Sequence, residues 1–472
     1  MLTKLSLGVG LALTLVACVD EPEAVSETEQ LLRNNGFLPN NLPVINGAGY
    51  AATHSTVGRI DLNNEFFQDI GTNGRRCVSC HLPTAGWSVT PEQMQAIFAI
   101  TDGGEFDDGF GLGAAFRLND GANSPRAAVG TLEERRKAYS MLLTKGLIRV
   151  GIPMPANADF TLEAVDDPYG YASAAELSLF RRPMPTTNLK FLSAVMWDGR
   201  ETTGGTIHFD LSTQSSHATE GHAEGRPLTP AERASIVNFE MTLHTAQVHA
   251  HAAGSLDAHG AKGGAKPIVD QVFYIGINDN LGDFQTREPF TPNVFALFGS
   301  WANRTGSNGA EKARRAIARG EKLFNTMPIR ITGVAGLNDN PYFGSPPVVN
   351  GSCTTCHNTP NSGNHSIVAP LDIGLSTKEL RTPDMPLYKF KQKGTNKVVY
   401  TTDPGRALIS GKFADMNKMK GPVLRGLASR APYFHGGSAK TLVDAVEFYN
   451  DRFDIRMSAQ DKSDLAAFLA SL

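Results

Sequence analysis

The feature that most constrains this chain is a five-residue string that occurs twice, as Cys77-Val78-Ser79-Cys80-His81 and as Cys353-Thr354-Thr355-Cys356-His357. Two thiols three residues apart can reach the two vinyl groups of one porphyrin, and the adjacent His then falls under the iron as its axial base. C-x-x-C-H is the attachment signature of a c-type haem. One copy would also fit half a zinc site or a redox dithiol. Two complete copies, using four of the five cysteines, point to two covalently bound haem c groups.

The fifth cysteine is Cys18, preceded by Lys4 and an apolar run from Leu5 to Ala17. This reads as a signal peptide over 1–17 with a lipoprotein-type cleavage box. Cleavage before Cys18 would free its thiol for a lipid, and more than one acyl chain suffices for stable anchoring. An ordinary signal peptide cut nearby is the alternative, and either one exports the chain. The expected location is the periplasm, held to the membrane, the outer one by preference, through Cys18. Residues 18–45, with Asp20, Glu21, Glu23, Glu27 and Glu29, read as an acidic tether. No thiol remains for a structural disulfide. No later apolar run approaches the ~20 residues a membrane span needs.

A length of 472 residues with 41% hydrophobic content allows two or three domains. A formal net charge of −3 argues against nucleic acid as a partner. Abundant Gly (47) and Pro (27) suggest helices joined by long irregular loops. Each haem box follows a Gly, an aromatic and an Asn-Gly pair: Gly58, Phe66-Phe67 and Asn73-Gly74 before the first, Gly320, Phe324 and Asn350-Gly351 before the second. This weak repeat predicts two haem-binding units, 46–310 and 311–472, each opened by a helix over the porphyrin edge. Capping signals predict helices after Thr90, Thr229 and Ser458. Residues 130–150 and 313–324 also read as helical, 102–125 and 250–310 as loops, and His244, His249, His251 and His259 as surface histidines.

Two further stretches carry a resemblance. One is Trp197-Asp198-Gly199-Arg200. The other runs from Lys420-Gly-Pro422-Val-Leu424-Arg425 through Ala431-Pro432-Tyr433-Phe434-His435-Gly436 to Phe448-Tyr449. With the two haem boxes in the same order, the chain over about 50–470 resembles the bacterial di-haem cytochrome c peroxidase superfamily, which includes the MauG-type enzymes and the di-haem rubber oxygenases. The resemblance implies a mainly α fold of two cytochrome c-like haem domains, with long loops and insertions. It implies a peroxidatic haem on His81, an electron-receiving haem on His357, and Trp197 as a relay between them; a plain core Trp is the alternative. For the sixth ligand of the second haem it offers Tyr449, where the peroxidases carry Met, or His435, with Met419 and Met416 behind. The peroxidases' switchable distal His would fall near Ile97, where there is none.

A peroxidase also needs a distal base to move a proton between the peroxide oxygens. The family's Gln and Glu over this haem match Gln214 and Glu224, with Glu220 and His222 competing; a solvated polar loop is the alternative. Calcium occurs between the haem domains in the family, without a diagnostic loop here. The expected function is reduction of hydrogen peroxide with electrons from a small exported donor (a cytochrome or a cupredoxin), or oxidation of a protein substrate. The rivals are a haem oxygenase and a non-enzymatic electron carrier.

Overall fold

The computed structural model describes residues 36–106 and 108–472, so the expected signal peptide, Cys18 and most of the expected acidic tether lie outside the described residues. The expectation of a mainly α fold is overturned: 31% of the structure is helical and 16% is strand, in several small sheets. The strands are two to eight residues long, and two of their pairings span large sequence distances. Gly49–Ser55 pairs with Leu243–Ala250, and Phe160–Asp166 with Leu387–Gln392. Strands this short leave little periodicity to read, and their partners are supplied only by the tertiary fold.

Among the described residues six helices reach eleven residues or more: α1 Pro91–Thr101, α2 Ile207–His222, α3 Pro230–Thr242, α4 Gly309–Thr326, α5 Leu442–Arg452 and α6 Ala459–Leu469. The predicted caps are in place. The Thr90 hydroxyl accepts from the Gln93 N–H at the start of α1. Thr229–Glu232 and Ser458–Asp461 form reciprocal capping boxes for α3 and α6. The helical stretch expected over 130–150 breaks into Leu132–Ala138 and Ser140–Lys145. It stops at Gly146, in the left-handed region with φ 61°, and strand Ile148–Ile152 follows.

The first unit is not opened by a helix. Strand Arg59–Asp61 and a single turn, Glu65–Phe67, precede its haem box. Only the second unit has the predicted helix, α4, which packs against α6 through Gly320. A Cβ there would lie 2.0 Å from the Asp464 carbonyl oxygen and 2.6 Å from the Phe468 Cβ. Residues 250–310 are more than loops: Val294, Phe295, Leu297, Phe298 and Trp301 are buried with Phe324 and Phe468 in the core of the second unit. Strand Phe37–Pro39 pairs with Arg59–Asp61, so part of the stretch read as a tether is folded. His244 is not a surface residue but is 2% exposed. No helix among the described residues is long and apolar enough to cross a membrane.

Candidate haem site

The two boxes fold alike. Each opens as one turn of 3-10 helix, Cys77–Ser79 and Cys353–Thr355, locked when the third residue's hydroxyl accepts the N–H of the residue before the first Cys. These bonds are Arg76 N–H to Ser79 Oγ at 3.0 Å and Ser352 N–H to Thr355 Oγ1 at 3.1 Å. The His81 and His357 amides then donate to the carbonyls of Cys77 and Cys353, at 3.0 and 3.1 Å. His81 Nδ1 donates to the Trp87 carbonyl at 3.2 Å, and His357 Nδ1 to the Gly363 carbonyl at 2.6 Å, in both cases six residues on. A carbonyl only accepts, so Nδ1 carries the proton and Nε2 keeps the lone pair a metal needs. An aromatic ring leans on each His: Phe66 on His81 at 6.3 Å and Phe324 on His357 at 5.9 Å between centroids. The repeat read from the sequence therefore survives in the aromatic and the box, though not in the helix. None of the four cysteines is in a disulfide, and burial pushes the Cys353 and Cys356 thiols up to about 12.

Both boxes line one continuous cavity. Its volume is about 400 Å³, within the roughly 300–1,000 Å³ of a ligand pocket. Its walls are largely apolar, yet Arg182, Lys420 and Arg430 are set into them. All three donate only to backbone carbonyls and form no ion pair among the described residues. Burial pulls their proton affinities down, Lys420 to about 7. Buried cations without anions are costly. A flat apolar ring carrying two carboxylates is the complement of such a lining, so the residues present fit haem at both boxes.

Trp197 lines the same cavity, as do His435, Tyr449 and Met419. The indole N–H of Trp197 donates to the Arg182 carbonyl at 2.9 Å, and its ring lies edge-on to His435 at 6.2 Å. His435 Nδ1 is buried without a partner, while Nε2 is 3.3 Å from the Ser376 hydroxyl and 3.9 Å from Asp403. Behind these rings sits a buried ionic lattice. Arg181 donates to Asp403 at 2.7 and 2.9 Å and to Asp198 at 2.6 Å. Burial alone would raise the Asp198 carboxyl, but Arg181 and Arg200 hold it at about 2. The Tyr449 phenol is pushed up by burial and by the nearby Cys356 and Cys353 thiols, which places it at the second box. Met416 does not line the cavity; it packs in a separate core with Phe160 and Phe390.

Gln214, Glu220 and His222 fall on α2, a helix rather than a polar loop, and Glu224 lies just past its end. Its face Leu211, Gln214, Ala218 and His222 lines the cavity at helical spacing. Glu220 and Glu224 are exposed and do not line it; Glu220 accepts from the Ser216 hydroxyl. His222 Nδ1 bonds Asp120 at 2.5 Å. Burial by itself would raise the Asp120 carboxyl, but His222 and Arg75 bring it below its ordinary value. Burial lowers His81 and His222 adds to that lowering, so the two lie within electrostatic reach. Asp120 was not legible in the sequence: it lies 102 residues from His222 in a Gly- and Asp-rich loop. Glu240 on α3, a second cavity-lining carboxyl, was also missed. Among the described residues no three His, Cys, Asp or Glu side chains converge on a cation site.

No family profile matches the chain. It is 33% identical over 133 residues to the cytochrome-c peroxidase IdrP2 of Denitromonas iodatirespirans, covering 26% of this chain and 36% of that protein. It is 30% identical over 123 residues to the cytochrome c551 peroxidase of Nitrosomonas europaea, covering 25% of this chain and 30% of that protein. The chain thus spans about a third of the length of the curated relatives it matches. A hydrazine synthase structure from Kuenenia stuttgartiensis aligns over 76% of this chain and 85% of its own at a TM-score of 0.31 and 13% identity, too slight a likeness to bear on the fold. Over that quarter of its length, the chain is a distant relative of cytochrome c peroxidases.

Proposed function

We propose that the protein is a di-haem c-type peroxidase that reduces hydrogen peroxide at the first box with electrons entering at the second. The observation that carries this reading is the His222–Asp120 pair in the wall of the cavity that His81 also lines. Haem bound at the two boxes would supply the iron that exchanges electrons with peroxide and stores them. Cys77 and Cys80, and Cys353 and Cys356, would tether it, and His81 and His357 would hold its iron through Nε2. Asp120 holds His222 by Nδ1 and leaves Nε2 as the base that takes a proton from one peroxide oxygen and returns it to the other. Gln214, two turns earlier on the same face, offers an amide to the peroxide. Glu220 and Glu224 take no part.

Trp197 carries electrons between the two boxes. His435 and Tyr449 stand as the alternatives for a second protein ligand at the His357 side. The donor is a small exported cytochrome or cupredoxin, or a protein oxidised at long range as in the MauG branch. The protein works in the periplasm, anchored through a lipid on Cys18.

The test is steady-state peroxide reduction by the purified holoprotein with a reduced cytochrome donor. Wild type should turn over. His222→Gln should lose about 10²–10⁴-fold in kcat, and Asp120→Asn should lose less while shifting the pH profile. Unchanged kinetics in His222→Gln would remove the base from the scheme. A protein inert to peroxide that forms a stable dioxygen adduct belongs with the oxygenases instead.

A further inference from the structure

Glu240 lies one turn after Ile236 on α3, and both line the cavity near the first box. Its residue is 6% exposed, and among the described residues no cation or hydrogen-bond donor meets its carboxylate. Burial alone pushes the carboxyl up to about 8. The ionisable groups on the elements packed against α3 are committed to other partners. Glu65 accepts from Ser235, and Lys190 donates to the Val269 carbonyl. On α2, Asp210 accepts from Thr203, His208 meets Asn238 and His217 meets Glu201. Glu220 and His222, also on α2, are bound to Ser216 and Asp120.

Glu240 does bear on Cys77, whose thiol is raised by burial first and by the Glu240 carboxylate in addition. That sulfur stops titrating once it is a thioether. The charge of the haem held at Cys77, Cys80 and His81 is then the one variable charge left close to Glu240. Adding an electron there makes a nearby carboxylate less favourable than its acid.

We infer that Glu240 is the redox-linked proton acceptor of the first box. Its carboxylate takes one proton from solvent when the haem there gains one electron, supplied by the exported donor or a chemical reductant, and returns it when the electron leaves. This rests on haem c being bound at the first box, not on what that haem then reacts with.

The experiment is an equilibrium redox titration of the holoprotein without peroxide, between about pH 6 and 9, with the two irons distinguished by electron paramagnetic resonance. The first iron's midpoint potential should be level where the carboxyl is already protonated, below about pH 8, and fall above it towards about 59 mV per unit, the equivalent of a tenfold change in proton activity for a one-electron couple. Glu240→Gln should flatten that dependence. A pH-independent potential in wild type, or an unchanged slope in Glu240→Gln, would overturn the assignment. Should the variant fail to fold, the redox-difference infrared spectrum of wild type decides: reduction should add a protonated-carboxyl band that moves in D2O, and its absence is fatal. Since no peroxide is present, loss of peroxidase activity would leave this result standing. A chain with no haem at the first box would sink both readings.

Discussion

At the scale of single residues, Arg181 stands between two carboxylates in the interior, with Asp403 on two of its nitrogens and Asp198 on a third. Removing one partner leaves charge buried without compensation, a change that costs about 3–5 kcal/mol. Asp403→Ala should therefore lower the denaturant midpoint markedly and loosen His435, which Asp403 faces at 3.9 Å. The sign with pH follows from the depressed carboxyl of Asp198. The unfolded chain binds a proton there before the native one does, so the pair's contribution is complete above the ordinary carboxylate range. It is lost as pH falls towards about 2. Acid unfolding followed by absorbance should show wild type retaining its fold to lower pH than Asp198→Asn. At this scale the sequence was legible where the chemistry is local. The boxes, their histidines and Trp197 stood out; Asp120 and Glu240 did not, because a lone acid acquires meaning only from the partner, or the lack of one, that folding brings.

At the scale of elements, local signals placed helix starts well, since a cap is satisfied within three residues of itself. They placed strands poorly. The Gly320 contact shows what elements decide together. Its missing side chain lets α4 and α6 approach until backbone meets Cβ, and Arg319 then reaches Asp464 at 2.6 and 2.8 Å. Gly320→Ala must push the helices apart against a carbonyl that cannot rotate away. It should destabilise the second unit by about 1–3 kcal/mol, read as earlier loss of the His357-side haem band in a thermal melt. The same exchange at Gly309, where an added Cβ meets nothing within 4 Å, should be nearly silent.

At the scale of the whole molecule, the two units are joined rather than strung. Strand Phe160–Asp166 of the first half pairs with Leu387–Gln392 of the second, and the Gln247 amide donates to the Leu472 carbonyl at 3.3 Å. The boxes open into one cavity. Replacing Cys77 and Cys80 by Ala should halve the haem released per chain in a pyridine haemochrome assay, as should replacing Cys353 and Cys356; replacing all four should abolish it. A full complement in either pair variant would refute covalent attachment at that box. By itself the sequence determined the two boxes on which the haem reading rests and where several helices begin, because both are written in residues within a few positions of one another. Only the tertiary structure decided that sheets would accompany the helices, that His222 rather than Glu220 or Glu224 would face the cavity, and that Asp120 would hold it. Those outcomes depend on which distant segments come together, and on which side of a helix is left turned inward once they have.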